Sequence, residues 1–199
     1  MTKAIIFDIG GVLVKQIHQQ LLKELSDKYN IDMNELENFE PGLFDNTMTG
    51  KITETEYFER IIKHFNLPVS VSDLNERATE LTEPIKETWP IVEKLKGKYV
   101  LAVLSDMGKE WTKTREEKFK ISEYFDYVVY SYEVGVRKPN VKIYKHLLNL
   151  MKIPASECIF IDDKQKNVDV ARELGMKTIL FENAEKLEQR LFAFGIKVG

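Results

Sequence analysis

The sequence has few of the residues that mark secreted or membrane proteins. Its 199 residues include a single cysteine, Cys158, so no internal disulfide can form, and a reducing cytoplasm is the expected location. The first apolar run, Ala4–Phe7, is too short for the apolar region of a signal peptide. No segment approaches the length of a membrane-spanning helix, so we expect no membrane partner.

The chain also lacks an excess of basic residues. Lys and Arg number 29 against 32 Asp and Glu, which gives a net charge of −3. Proteins that bind nucleic acids usually carry a basic excess, so we expect no nucleic-acid partner. A small anionic ligand is still compatible with this balance, because a local positive site can act against a weak overall charge.

What the sequence does contain is a repeated alternation of apolar runs and helical stretches. The runs lack alternation with polar residues, which is typical of strands buried on both faces. The predicted strands are Ala4–Phe7, Val100–Leu104, Tyr127–Tyr130, Cys158–Ile161 and Thr178–Phe181. The predicted helices between them are Pro90–Leu95, Lys109–Phe119, Val141–Met151 and Asn167–Leu174. This order predicts an α/β fold with a Rossmann-like, mainly parallel sheet and helices on both faces.

One long region interrupts the alternation. Residues 18–83 show helical periodicity and no convincing strand. The candidate helix caps in this region are Asp32 or Asn34, Thr53 and Ser72. We interpret residues 16–83 as an inserted, small all-helical cap domain, and residues 1–15 and 84–199 as the core domain.

Polar groups follow four of the predicted strands, at the edge where an open parallel sheet binds ligands. In chain order these groups are Asp8, then Ser105 and Asp106, then Lys138, and finally Asp162 with Asp163. The carboxylates of Asp8, Asp162 and Asp163 supply the hard oxygens that Mg²⁺ prefers, and the Ser105 hydroxyl and Lys138 suit a phosphate. Each residue alone also fits a turn or a helix cap, but the combination predicts a metal-bridged phosphate with Asp8 placed to attack phosphorus.

Four motifs, in order, resemble those of the haloacid dehalogenase superfamily, whose members are mostly phosphatases. The motifs are Phe7–Leu13, Leu104–Ser105, Gly135–Pro139 and Phe160–Asp163. The insertion resembles the helical, C1-type cap of this superfamily. Phe44 and Gly50–Thr53 resemble the cap loop of its sugar-phosphate and glucose-1-phosphatase-like branch.

This resemblance implies a role for each motif residue. Asp8 would attack the phosphoryl group and form an aspartyl-phosphate, and Lys138 would stabilise the charge of the nucleophile and of the transferring group. Ser105 and the amide of Asp106 would hold phosphate oxygens. Catalysis of this kind depends mainly on positioning and on neutralising charge.

The resemblance also implies the ligands of a magnesium cofactor. Asp8, the backbone carbonyl of Gly10 and the pair Asp162 and Asp163 would hold the ion, and the sequence leaves open which of the pair ligates it directly. The expected substrate is a small phosphorylated metabolite, and the expected state is a monomer or a weak homodimer.

The sequence departs from the family pattern at two positions. Gly10 stands where phosphatases of the family carry a second Asp that acts as acid and base, a function worth about 10²–10⁴ in rate. Asp106 stands where Asn is frequent. Because a carboxylate would repel a phosphate, we expect the Asp106 side chain to turn away and cap the following helix.

Other polar and aromatic residues receive structural assignments. His18, His64 and His146 share no metal-ligand spacing, and of these His18 is the one near enough to the first linker to reach the site. Trp111 is expected to pack in the interior. Arg115 is expected on a solvated helix face.

Two further interpretations stand beside the phosphatase. A hydrolytic haloacid dehalogenase shares the Asp nucleophile and lacks the second Asp, but it needs no metal, so Asp162 and Asp163 count against it. A non-catalytic phosphate-binding or regulatory module would also be consistent with Gly10.

Overall fold

The computed structural model describes residues 1–198 and has a five-stranded sheet at its centre. The strands are β1 Ala4–Phe7, β2 Val100–Ser105, β3 Tyr127–Tyr130, β4 Cys158–Asp162 and β5 Lys177–Leu180. Their spatial order is β3-β2-β1-β4-β5, and every neighbouring pair is parallel. The α/β class and the Rossmann-like parallel sheet predicted from the sequence are confirmed.

Twelve α-helices and one short 3-10 turn, Ala155–Glu157, complete the part of the chain that is described. The helices are α1 His18–Tyr29, α2 Met33–Asn38, α3 Leu43–Met48, α4 Glu54–Phe65, α5 Val71–Leu81, α6 Trp89–Leu95, α7 Lys109–Phe119, α8 Ile121–Tyr124, α9 Ser131–Val134, α10 Val141–Met151, α11 Gln165–Glu173 and α12 Ala184–Ala193. None of them is long and apolar enough to cross a bilayer.

Both faces of the sheet are apolar, which explains the unbroken apolar runs in the sequence. Successive side chains of a strand point to opposite faces. On β1, Ile5 and Phe7 join the hydrophobic cluster on one face, and Ala4 and Ile6 join the cluster on the other. Helices cover both clusters, so neither face supports the polar alternation of a half-solvated strand.

The helices α1–α5, here called the helical insertion, lie between β1 and β2 in the chain. Their apolar side chains, including Leu22 and Phe58, belong to the same hydrophobic cluster as Ile5 and Phe7. The chain enters and leaves the insertion side by side, because the Lys15 amide donates to the Glu83 carbonyl at 2.9 Å. The domain division at residues 16 and 83 stays a prediction, and residue 199 lies outside the described part.

The main differences from the sequence prediction concern short elements. The helices α3, α8, α9 and α12 were not predicted, and the first three are too short for a full helical repeat to appear in the sequence. Ser70 rather than Ser72 caps α5, because its hydroxyl accepts from the Asp73 amide at 3.1 Å and Asp73 accepts from the Ser70 amide at 2.8 Å. Asp32, not Asn34, caps α2, and Thr53 forms the capping box of α4.

Candidate active site at the carboxyl edge of the sheet

Asp8 lies at the end of β1, in the wall of a cavity of about 510 Å³ between the sheet and the helical insertion. Its side chain is buried, and its amide donates to the Ile161 carbonyl at 2.9 Å, which continues the β1–β4 pairing. Oδ1 accepts from the Ile9 amide at 2.7 Å and lies 3.0 Å from Nζ of Lys138. The strand end and these contacts therefore hold the carboxylate in one orientation.

Lys138 joins two of the predicted site carboxylates. Its buried Nζ donates to Oδ2 of Asp162 at 2.7 Å, besides its contact with Asp8. Burial acts to lower the pKa of Lys138, but the charges of Asp162, Asp8 and Asp106 outweigh it and hold the pKa above its ordinary value. The lysine is therefore a permanent cation at neutral pH.

Asp162 is fully enclosed by protein groups. In addition to Lys138, it accepts from the Lys164 amide at 2.8 Å and from the Asn167 side-chain amide at 2.9 and 3.0 Å. A carboxylate whose two oxygens are both occupied in this way orients its neighbours firmly. The geometry of Asp162 therefore suits a residue that positions Lys138 better than a residue that ligates a metal ion directly.

Asp163 differs from Asp162, because one of its carboxylate oxygens accepts no hydrogen bond from residues 1–198. Oδ2 accepts from the Gln16 side chain at 2.5 Å, while Oδ1 is buried without a hydrogen-bond partner among the described residues. Asp8, Asp162 and Asp163 each offer an oxygen within 4.8 Å of the others. Gly10 also lines the cavity. This oxygen-rich set with an orphaned carboxylate atom fits a hard divalent cation such as Mg²⁺.

The charge balance of the cluster points the same way. Burial raises the pKa of Asp8 to about 7, the charge of Lys138 acts to lower it, and Asp162 raises it further. One lysine thus does not compensate a cluster of three carboxylates, of which Asp8 and Asp162 are buried. An additional cation would favour the ionised form of Asp8 that a nucleophile requires.

The predicted phosphate-binding residues lie at the end of β2 and beyond it. Ser105 is buried and lines the cavity together with Asp106. The Asp106 carboxylate does not cap α7. It accepts from the Lys138 amide at 2.9 Å and from Nε of Arg137 at 3.4 Å, so it braces the loop that carries Lys138.

Glu54 of α4, which the sequence did not single out, caps α7 instead. Its carboxylate is 1% exposed and accepts from the amides of Trp111 at 2.9 Å and Glu110 at 3.2 Å. In return, the Glu110 side chain accepts from the Thr55 amide at 2.8 Å, at the start of α4. A buried carboxylate therefore already uses two amides of the first turn of α7. We call these four residues the cap–core latch.

The insertion side of the cavity is largely aromatic. His18 stacks on Phe44 with ring centroids 3.9 Å apart, and its Nε2 lies 2.7 Å from the Tyr57 hydroxyl. Burial and the nearby positive charges of Arg137 and Lys164 lower the pKa of His18 to about 4, so it is neutral at pH 7. His18 thus lines the cavity, whereas His64 and His146 are exposed.

Basic side chains line the cavity despite the negative net charge of the chain. Lys15, Arg137 and Lys164 all contribute to its wall. Arg137 also forms an ion pair with Asp45 of the insertion and lies 5.2 Å from the centre of the Phe44 ring. A local positive site of this kind is what a small anionic ligand needs in a weakly acidic protein.

Two assignments made from the sequence need correction. Arg115 does not lie on a solvated face: it is 6% exposed and lines the same cavity. Trp111 packs against Phe58 as expected, but it lines the cavity as well. Their spacing of four positions puts both on one face of α7, which was the available signal, but it did not reveal that the insertion covers that face.

Comparison with known proteins identifies the family. The model of the haloacid dehalogenase-like hydrolases matches residues 5–181. The chain belongs to this family. It is 26% identical to D-ribitol-5-phosphate phosphatase of Bacteroides thetaiotaomicron over 215 aligned residues, which cover 96% of this chain and 97% of that protein. It is also 38% identical over 88 residues to flavin mononucleotide hydrolase 1 of Arabidopsis thaliana, but these cover 44% of this chain and only 36% of that relative.

A solved structure extends this similarity to the fold. A family enzyme from Bacteroides thetaiotaomicron, crystallised in complex with magnesium and inorganic phosphate, superimposes with a TM-score of 0.75 at 26% identity. The match covers 92% of this chain and 96% of that one. The chain is therefore a hydrolase of this family, and its cluster of Asp8, Asp162 and Asp163 could hold a metal ion such as the magnesium of that structure.

Proposed function

We propose that the protein is a magnesium-dependent phosphatase that hydrolyses a small organic phosphate through an aspartyl-phosphate on Asp8. The observation that carries the proposal is the buried Asp8 carboxylate, 3.0 Å from a permanently charged Lys138, beside a carboxylate oxygen of Asp163 that has no partner among residues 1–198. The similarity to phosphatases with small phosphorylated substrates supports it.

The proposed reaction has two steps. An oxygen of Asp8 bonds to phosphorus while the ester oxygen leaves with the bonding electrons and takes up a proton. Water then attacks the aspartyl-phosphate, which releases inorganic phosphate and restores the carboxylate. Lys138, fixed by Asp162, offsets the negative charge in both steps, and the buried Ser105 offers a hydroxyl to a phosphate oxygen.

The groups available to hold magnesium are Asp8, Asp163 and the carbonyl of Gly10, with Asp162 as the residue that orients Lys138. Magnesium bound there would supply positive charge to the phosphate oxygens. The three-carboxylate cluster favours this function over a metal-free dehalogenase, which would gain nothing from an additional orphaned carboxylate oxygen.

No side chain at position 10 can protonate the leaving group. Leaving groups of low pKa are less affected by this absence, so we propose a preference for substrates whose alcohol leaves readily. We also keep the cytoplasmic location and the monomeric or weakly dimeric state as proposals, the former supported by the lone, buried thiol of Cys158.

The test is a phosphomonoester panel, with sugar phosphates and an aryl phosphate, assayed with magnesium and with a chelator. We expect metal-dependent phosphate release that falls at least about 10⁴-fold in Asp8→Asn, since the nucleophile is lost. In parallel, Asp163→Asn should weaken magnesium binding measured by calorimetry, while Asp27→Asn, an exposed change on α1, should not. Turnover that persists in the chelator, or in Asp8→Asn, would contradict the proposal.

A further inference from the structure

Within the described residues 1–198, Arg115 is a buried cation without a carboxylate partner. It lies on α7, is 6% exposed, and no acidic oxygen of the described residues lies within 4.0 Å of its guanidinium. Nε has no hydrogen-bond partner in the described part of the chain, and Nη1 donates to the Trp111 carbonyl at a long 3.4 Å. A buried charge left in this state is costly, and buried charges in proteins are normally paired.

The two carboxylates whose charges act on Arg115 are already engaged elsewhere. Glu54 and Asp8 influence Arg115 by their charge, but Glu54 caps α7, and Asp8 binds Lys138 and the Ile9 amide. Burial lowers the pKa of Arg115 to about 10, so the guanidinium stays charged at neutral pH. The side chain therefore retains donors that no carboxylate of residues 1–198 satisfies.

Arg115 is part of the wall of the substrate cavity. Arg115 and Trp111 line it together with Asp8 and Met107. α4 of the helical insertion packs on α7, and the charge of Glu54 on α4 acts on Arg115. Arg115 therefore lies where the helical insertion meets the core, on the part of the cavity wall where we expect the leaving group of a substrate attached at Asp8.

We propose that Arg115 binds an anionic group on the leaving-group portion of the substrate, a carboxylate or a second phosphate, so that the enzyme selects phosphate esters carrying a second negative charge. This inference rests on the proposed phosphatase function. An anion would complete the hydrogen bonds of the guanidinium in a fork geometry, which arginine provides and lysine does not.

The kinetic test uses three matched probes that differ only at the far end of the molecule. They are 2-hydroxyethyl phosphate, phosphoglycolate and the bisphosphate of ethane-1,2-diol. We expect the wild type to prefer one or both of the probes that carry a second anion. For a preferred probe, Arg115→Met should lower kcat/KM about 100-fold, mainly through a higher KM. For 2-hydroxyethyl phosphate the change should stay within about threefold, and Arg115→Lys should recover part of the loss.

The two anionic probes separate the two sources of charge. A preference of the wild type for phosphoglycolate assigns a carboxylate, and a preference for the bisphosphate assigns a phosphate. No preference for either over 2-hydroxyethyl phosphate would overturn the proposal. So would an equal loss on all three probes in Arg115→Met, because that result would place the guanidinium on the transferring phosphoryl group.

A binding measurement keeps this test independent of turnover. Calorimetry with magnesium compares 3-phosphonopropionate with the uncharged-ended 3-hydroxypropylphosphonate, neither of which can be hydrolysed. Tighter binding of the former, lost in Arg115→Met and kept in the surface control Arg190→Met, supports the subsite even if no ester is turned over. In that case the proposed function fails and the subsite stands.

Thermal unfolding distinguishes a binding role from a structural one. Removal of an unpaired buried charge should leave the ligand-free protein as stable as the wild type or more stable. If Arg115→Met lowers the midpoint by several degrees and leaves probe binding unchanged, Arg115 is a structural residue and the proposal is wrong.

Discussion

On the sheet side of the cavity Asp162 accepts hydrogen bonds from three protein groups, whereas on the insertion side His18 makes one, to the Tyr57 hydroxyl. The groups on the sheet side follow strands whose register is set by parallel pairing. The groups on the insertion side lie on helices that contact the core mainly through apolar packing, the cap–core latch and the Arg137–Asp45 ion pair.

This difference suggests a division of tasks between the two sides. Reacting groups must be held within a fraction of an ångström, and a fully bonded network at strand ends provides that precision. A leaving-group pocket needs shape and closure rather than fixed charge, and aromatic side chains on helices provide these. Changes on the sheet side should therefore affect the chemical step, and changes on the insertion side should affect it less.

The largest effect is expected from Lys138→Met. Loss of the cation leaves Asp162 and Asp8 without their shared partner, which should cost about 3–5 kcal/mol of folding free energy, as for other broken buried ion pairs. We expect kcat to fall about 10²–10³-fold in the protein that remains folded. Denaturant unfolding and initial rates at saturating substrate measure the two effects.

The exposed Lys142→Met on α10 is the control for Lys138→Met, and it should change neither quantity. If Lys138→Met kept both its stability and its kcat, the network on the sheet side would not hold the reacting groups, and the comparison of the two sides would fail.

A smaller effect, in the opposite direction, is expected from Gly10→Asp. A Cβ at position 10 would meet no atom within 4 Å, so the cavity has room for a side chain there. The new carboxyl group should act as the missing acid and base, and we expect about a tenfold gain on alkyl phosphates, at the low end of general acid–base effects. The gain should be smaller on an aryl phosphate, whose leaving group needs no proton.

Gly10→Asn separates the chemistry of the new side chain from its size. It has nearly the same shape but carries no exchangeable acidic proton, so rates on both ester types should not rise. Equal gains in the two variants would mean that filling the space, rather than proton transfer, limits this enzyme.

The sheet side is also the part that could be predicted from the sequence. Buried parallel strands are visible as apolar runs, and the residue after each run necessarily lies at the ligand-binding edge, so Asp8, Ser105 and Asp162 could be found in order. Contacts between distant helices leave no such local signal. The residues around Arg115 have the composition of a solvated helix, and only the three-dimensional packing of α4 on α7 reveals that Arg115 is buried.

The smallest effect is expected from Glu54→Gln in the cap–core latch. Glutamine can accept from only one of the two α7 amides that the carboxylate binds, and it loses the interaction with the helix dipole. We expect the free energy of unfolding to fall by about 1–2 kcal/mol, and the unfolding midpoint to fall by about 2–4 °C for each kcal/mol lost. We also expect kcat/KM to fall a few-fold, with kcat nearly unchanged. Hydrogen exchange should show faster exchange of the Glu110 and Trp111 amides.

Glu59→Gln, an exposed change on the same α4, should alter none of these, since Glu59 lies away from α7. A fall in kcat as large as that of Lys138→Met would show that the latch positions the reacting groups themselves, and that the two sides of the cavity do not divide the work between chemistry and closure.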